Sequence, residues 1–326
     1  MSKKDSKFST EKMKNIFSDV GRGVDLNYRK YRLKWIYAPK LKLVTKFPLH
    51  LDIEASSGCN LRCIMCFNAV KRTPPGLISW NLYKKIIDEG SKNNLCSIKL
   101  NWRGEPLLHP KIVEMVDYAK KKGIIDVQFN TNGQLLDKEK ADGLIEAGLD
   151  RIIFSIDGAS KDVYERIRVG GSYDKLTENV EYFLKRKKEL NAVKPFVRVQ
   201  MVKLKQNEHE INKFVDFWEP KVDEVFVNPE IHYKENKPYV EGSTIVGRKA
   251  CSMLWQRLVI SYDGKVMMCC GDWKMKSILG DVNKETIHNI WNGKKLNAIR
   301  KHHKNLNHHL IPACKDCLEL ESYKLK

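Results

Sequence analysis

The feature that most constrains the fold is a strand–helix alternation running through residues 49–227. Short β-type runs occupy residues 49–54, 97–102, 124–129, 151–156, 196–202 and 222–227. Helical segments lie between them. Residues 79–90 have Ser79 as N-cap, with Trp80, Tyr83, Ile86 and Ile87 on one face. Residues 110–121 open on Pro110, and helices are also expected over 137–148 and 173–189. The last, 207–218, starts with Asn207 and Glu210 at capping-box spacing. Strands separated by helices pair in parallel through right-handed crossovers. The expectation is an α/β protein, a partial (β/α)6 TIM-like barrel over residues 49–235. A basic N-terminal extension (1–48) precedes it, and a small Cys-rich domain (236–326) follows.

Barrels of this kind build their sites where the chain leaves the C-terminal ends of the strands. The first such loop carries Cys59, Cys63 and Cys66, directly after Ser56-Ser57-Gly58. Thiolates at close spacing select zinc or iron–sulfur. Without an obvious fourth ligand nearby, the centre has one open position, the mark of a chemical site. The next loops carry Arg103-Gly104-Glu105-Pro106, Asn130-Thr131-Asn132-Gly133 and Ser155-Ile156-Asp157-Gly158. Taken singly, Asn-Gly and Asp-Gly are turn formers and Gly-Glu-Pro breaks a strand. Arriving together at the cysteine end of the sheet, they read as a site.

The 326 residues hold nine cysteines and a formal net charge of +19. No run approaches eighteen apolar residues, and the N-terminus has no apolar signal core. The cytoplasm is therefore the expected location, where cysteines serve metals more often than disulfides. The charge fits nucleic acid, an anionic surface or an acidic substrate. Nucleic acid is disfavoured, because there is no arginine-rich tract and no RNA-binding signature. Residues 1–20 are polar and read as loose or marginally helical. Residues 27–37 mix bases with aromatics and read as a helix whose aromatics pack on the main domain.

The C-terminal region opens on Cys251, then Trp255, a strand at 257–260 and the hairpin signal Tyr262-Asp263-Gly264-Lys265. Cys269 and Cys270 follow, then helices at 286–291 and 294–303, then Cys314 and Cys317. Cys251, Cys269, Cys314 and Cys317 can form a four-thiolate site for zinc or iron–sulfur. Cys270 is a spare, a substitute for Cys269, or a thiol facing substrate. Cys96 reads as a core residue of its strand. His302, His303, His308 and His309 read as a surface helix end and loop.

Cys59-x3-Cys63-x2-Cys66 after a first strand resembles the signature of the radical S-adenosylmethionine (SAM) enzymes. Arg103-Gly104-Glu105-Pro106 is similar to their Gly-Gly-Glu-Pro motif, with Arg103 in place of the first glycine. Cys251, twelve residues, Gly264, four residues and Cys269 resemble the opening of the SPASM extension. The middle cysteine group of that extension is missing. The resemblance implies two [4Fe–4S] clusters, one binding SAM on Cys59, Cys63 and Cys66, and one auxiliary cluster on Cys251, Cys269, Cys314 and Cys317. It places Gly104, Glu105 and Pro106 at the methionine moiety of SAM and Asn132, Ser155 and Asp157 at the cofactor's ribose or carboxylate. Met65 stands where the family often has an aromatic residue, and Phe67, after the third cysteine, takes the adenine contact.

The implied chemistry is reductive cleavage of SAM and hydrogen abstraction by a 5′-deoxyadenosyl radical, fed by a reduced flavodoxin or ferredoxin. A single auxiliary cluster resembles the family's small-molecule alcohol dehydrogenases. The expected substrate is a sugar, nucleotide-linked sugar or aminocyclitol, and the positive charge suits a phosphorylated one. The alternatives are an epimerase in which Cys270 returns the hydrogen and a maturase of a ribosomal peptide. The non-enzymatic alternative is a zinc-containing RNA-binding protein.

Overall fold

The computed structural model describes residues 26–67, 74–229, 232–234, 237–239, 243–315, 317 and 321–325. The polar residues 1–20 lie outside them. Helix α1 (Leu26–Lys40) leads to β1 (His50–Ile53), α2 (Trp80–Lys92), β2 (Ser97–Lys99) and α3 (Ile112–Lys121). Next come β3 (Asp126–Thr131), α4 (Lys138–Glu146), β4 (Arg151–Ser155), α5 (Lys161–Ile167) and α6 (Tyr173–Glu189). Then follow β5 (Phe196–Lys203), α7 (Ile211–Trp218), β6 (Glu224–Pro229), β7 (His232–Lys234), β8 (Lys237–Tyr239) and β9 (Ser243–Arg248). The C-terminal part adds β10 (Arg257–Ile260), β11 (Lys265–Met267), β12 (Ile278–Asp281), α8 (Ile287–Asn292), α9 (Lys294–Lys304) and β13 (Glu321–Leu325). No helix among the described residues is long and apolar enough to cross a membrane.

The six expected strands pair in chain order, β1 to β6, all in parallel. The sheet continues beyond β1. Strand β10 lies parallel to it with Leu51 opposite Leu258, and β11 and β12 follow in antiparallel pairing. The C-terminal region therefore extends the barrel's own sheet to nine strands. The turn between β10 and β11 uses Gly264 at φ +91, a conformation that suits glycine.

Alternation along each strand separates two environments. One set of side chains, including Leu51, Ile53, Ile98, Phe129, Phe154 and Val199, is fully buried with the helices. Each such side chain contributes about 1.5–3 kcal/mol. The other set is largely polar and lines a cavity of about 620 Å³ inside the partial barrel, with Lys99, Gln128, Asn130, Arg198, Gln200 and Arg257 on its wall. Helix α1 lines its base with Tyr28, Tyr31, Arg32 and Trp35. Trp35 meets His50 edge-on at 5.8 Å, and Gln256 Nε2 donates to the Trp35 carbonyl at 2.7 Å. Arg151 donates to the Tyr28 hydroxyl.

Ser79 caps its helix as expected, accepting from Leu82 N, and Asp137 caps α4, accepting from Lys140 N. The capping box at Asn207 does not form. Its amide is drawn into a buried turn, donating to Asp157 O (3.0 Å) and Val202 O (2.9 Å) and accepting from Leu204 N (2.7 Å). The Glu210 carboxylate reaches across to Ala159 N (2.7 Å) and Ser160 Oγ, and α7 starts only at Ile211. Buried loop amides with no other partner outcompete the local cap. Helix α5, too short to show a clear period, was not anticipated.

Candidate functional site

The cysteine loop leaves β1 and is held from two sides. Arg62 N and Ile64 N donate to Val169 O (2.8 Å) and Ile167 O (3.0 Å), at the end of α5. From the other side Glu105 N donates to Gly58 O at 2.8 Å. Two N–H groups face the Cys59 sulfur: Leu61 N at 3.4 Å and Asn132 Nδ2 at 3.8 Å. None of the three cysteines forms a disulfide. Burial pushes the Cys59 thiol up to about 11, and Glu105, Cys63 and Cys66 add to the rise. Burial also raises Cys63, against the pull of the Arg168 guanidinium.

Gly104 shows why this motif needs a glycine. A Cβ there would stand 2.3 Å from Ser56 O and 2.4 Å from Gly58 O, so the two loops touch backbone to backbone. Arg103 turns its side chain to the buried Glu54 carboxylate, with Nε at 2.8 Å and Nη2 at 2.7 Å. Glu105 joins neighbouring loops: its carboxylate accepts from Leu107 N (3.1 Å), Thr131 Oγ1 (2.7 Å) and Asn132 N (2.8 Å). Pro106 begins a short 3-10 turn.

Asn132 stands at the cysteine loop, donating to Asn60 Oδ1 at 2.9 Å. Ser155 accepts from Gln200 Nε2, a residue of the cavity wall, at 3.1 Å. Asp157 departs from the expected cofactor contact. It is fully buried, and its carboxylate is committed to Arg168 (2.7 and 2.6 Å) and Val202 N (2.7 Å). Its role is to hold Arg168 beside Cys63. Sequence reading missed Arg168, a single arginine after a short helix. The available signal was Asp157 itself, an acid at a strand end that needs a partner when buried.

In the C-terminal group, Cys314 lies within electrostatic reach of Cys269, Cys251 and Cys317. Burial pushes Cys251 up to about 11 and Cys269 up to about 12, and raises Cys314 further. Cys270 lies within electrostatic reach of Cys269. Burial raises it too, and its charged surroundings are Arg257, Asp52 and Lys99, on or beside the inner wall of the barrel. Cys96 is half-buried beside Lys34 of α1, away from both groups. The histidine reading needs correction. His303 and His308 are buried, not surface residues, and their rings stack at 5.6 Å. Cys251 N donates to His303 Nδ1 at 3.2 Å. Burial lowers His303 to about 4, so it is neutral at pH 7.

The donor chemistry fits iron–sulfur clusters. Among the described residues no three His, Cys, Asp or Glu side chains are drawn tightly enough to hold a single metal ion. Cys63 and Cys66 nonetheless add to the rise at Cys59, and Cys269, Cys251 and Cys317 to the rise at Cys314. A cluster that takes one thiolate per iron accommodates that looser grouping.

Comparison with known proteins agrees. Residues 53–217 match the radical SAM superfamily, and residues 251–318 match the SPASM iron–sulfur cluster-binding domain. The chain belongs to the radical SAM superfamily and carries a C-terminal SPASM domain. Its cofactors are SAM, the [4Fe–4S] cluster that binds it, and auxiliary iron–sulfur in the SPASM domain. The tungsten-containing aldehyde ferredoxin oxidoreductase cofactor-modifying protein of Pyrococcus furiosus is 26% identical over 319 residues, covering 82% of this chain and 86% of that protein. Streptococcus suis SuiB, solved bound to its precursor peptide SuiA, superposes with a TM-score of 0.64 at 18% identity, covering 96% of this chain and 83% of that one. BtrN, solved with AdoMet and 2-DOIA, gives 0.53 at 19% identity, covering 82% and 92%.

Proposed function

We propose that this enzyme dehydrogenates a compact polar small molecule, such as a phosphorylated or nucleotide-linked sugar or an aminocyclitol, seated inside the partial barrel. The observation that carries this reading is the cavity of about 620 Å³, polar on its wall and lined at its base by α1. A pocket of that size suits a small ligand. The Lys99 ammonium on its wall acts on Asp52 and Cys270 through space, and no side-chain hydrogen bond or ion pair holds it among the described residues. It is one of the cations that a phosphorylated substrate would meet there.

Cys59, Cys63 and Cys66 would hold the SAM-binding cluster, and Cys251, Cys269, Cys314 and Cys317 the auxiliary one. When bound, the cluster and SAM supply a one-electron cleavage whose 5′-deoxyadenosyl radical takes a hydrogen atom from the substrate. Gly104, Glu105 and Pro106 shape the loop beside the cysteines, Asn132 and Ser155 line the approach to it, and Phe67 offers its ring to the adenine. Completing a dehydrogenation also releases an electron, which the auxiliary cluster would accept, and a proton. The route this chain offers runs from His50, on the cavity, through its Nδ1 to Ser97 Oγ (2.8 Å) and on to Asp126 (3.0 Å), at the base. A reduced flavodoxin or ferredoxin would provide the electron.

One observation favours a second reading. Cys270 lies beside the inner wall, where a thiol can return a hydrogen atom, and that would make the enzyme an epimerase. A peptide substrate is kept in view by the peptide bound to SuiB. The test is an anaerobic assay of the reconstituted enzyme with SAM and a reductant against sugar, aminocyclitol and peptide pools. Formation of 5′-deoxyadenosine with a small-molecule product lighter by two hydrogens supports dehydrogenation. Unchanged mass with deuterium gained from solvent, abolished in Cys270→Ala, supports the epimerase. A response to peptides alone overturns both.

A further inference from the structure

Residues 269–275 run from the auxiliary group to the radical site and touch it at three points. Trp102 Nε1 donates to Cys270 O at 2.8 Å. The Trp273 ring stacks on Phe67, with centroids 4.9 Å apart and planes 23° apart. Met275 Sδ lies 3.5 Å from Arg103 Nη1. The turn between these contacts is fixed internally, because the buried Asp272 carboxylate accepts from Lys276 N (2.8 Å) and Ser277 N (2.9 Å). The segment is thus anchored at Cys269 on one side and at Arg103 on the other, with Trp273 between them.

Phe67 follows Cys66 immediately. A phenylalanine ring without a packing partner samples several rotamers, and a ligand that needs one of them must bear the cost of ordering it. We propose that Trp273 is a positioning residue for SAM: it holds the Phe67 ring in the orientation that the adenine requires, and the auxiliary site holds Trp273 through Cys269. The proposal rests on the assignment of Phe67 to the adenine. It makes cofactor affinity at one site depend on a side chain supplied by the other.

An offset aromatic stack corresponds to a change of about two- to tenfold in a dissociation constant. The experiment is equilibrium dialysis of SAM against the full-length, anaerobically reconstituted enzyme without reductant, with iron per chain measured on the same samples. Trp273→Leu should weaken binding by about two- to tenfold at unchanged iron content. Trp273→Phe, which keeps a ring, should bind like the parent. Phe67→Leu should weaken binding similarly, and the double variant should be no worse than either single one, since the two rings act as a unit. Unchanged affinity in Trp273→Leu with weakened binding in Phe67→Leu overturns the role of Trp273 and leaves the adenine contact standing. Unchanged affinity in Phe67→Leu overturns both. Loss of iron in Trp273→Leu would mean that the ring supports a cluster and not the cofactor, which also overturns the proposal.

Discussion

Arg103 closes on Glu54 through two hydrogen bonds, and both side chains are almost wholly removed from water, at 6% and 0% exposure. The backbone N–H of Tyr262 also approaches this carboxylate, at 3.3 Å. One acid thus joins β1, the loop after β2 and the hairpin after β10. Removing one partner of such a pair leaves a buried charge uncompensated. Arg103→Gly, which restores the usual motif, should cost about 3–5 kcal/mol of stability. The double variant with Glu54→Gln should recover part of it. Anaerobic denaturant unfolding of the parent, the two single variants and the double variant checks this. Additive losses would show that the pair does not act as a unit.

Gly104→Ala should disturb the site more than the motif's other positions. Its methyl group would meet backbone oxygens, which cannot swing away as a side chain tip can. Overpacking of this kind costs about 1–3 kcal/mol, and the displaced loop is the one that holds the cysteines. Iron bound per chain after reconstitution should fall. An unchanged iron content would contradict the close approach.

Asp52 makes acid stability depend on one buried carboxylate. Burial alone would raise its pKa, but the hydrogen bond from His50 and the Arg257 guanidinium prevail and hold it at about 2. A carboxylate whose folded pKa lies below its unfolded value stabilises the fold above the unfolded value and loses that stabilisation as pH falls. The window here runs from about pH 4 down to about pH 2. Asp52→Asn should flatten the acid limb of the stability profile in this window relative to the parent. Following tryptophan fluorescence of both proteins during acid titration tests it; parallel curves would count against the pairing.

Tyr31 closes the base of the cavity and is only 3% exposed. Tyr31→Ala should cost about 3–5 kcal/mol, as large-to-small changes of buried aromatics do. It should also let water into the barrel. The expected signature is more 5′-deoxyadenosine formed per product, because a radical met by solvent or protein is lost to the substrate. An unchanged ratio would mean that α1 does not seal the reaction chamber.

The six parallel strands were legible because alternation along them is strong. Leu51 and Ile53 stand against His50 and Asp52, and that two-residue period survives in the fold. The same alternation did not disclose what the polar face meets, since only the assembled sheet brings Lys99, Gln200 and Arg257 to one cavity. The cysteine spacings were legible as chemistry. Arg168 was not, because its partner Asp157 lies on another strand's loop and the ion pair exists only after both are placed. His303 misled because lysines surround it in sequence, while the backbone of Cys251, more than fifty residues earlier, supplies its contact. The pairing of β10 with β1 was equally silent, since a parallel ladder between distant segments leaves no local pattern.

That ladder has a consequence for any attempt to exchange parts between relatives. Strand β1 launches the cysteine loop, and β10 hydrogen-bonds along its whole length. A chain ending before Arg257 would present the backbone of His50–Ile53 as a bare, apolar-flanked template for other chains. The C-terminal region is therefore not a detachable module. A chimera must cut beyond β12 if the first strand is to keep its own cover.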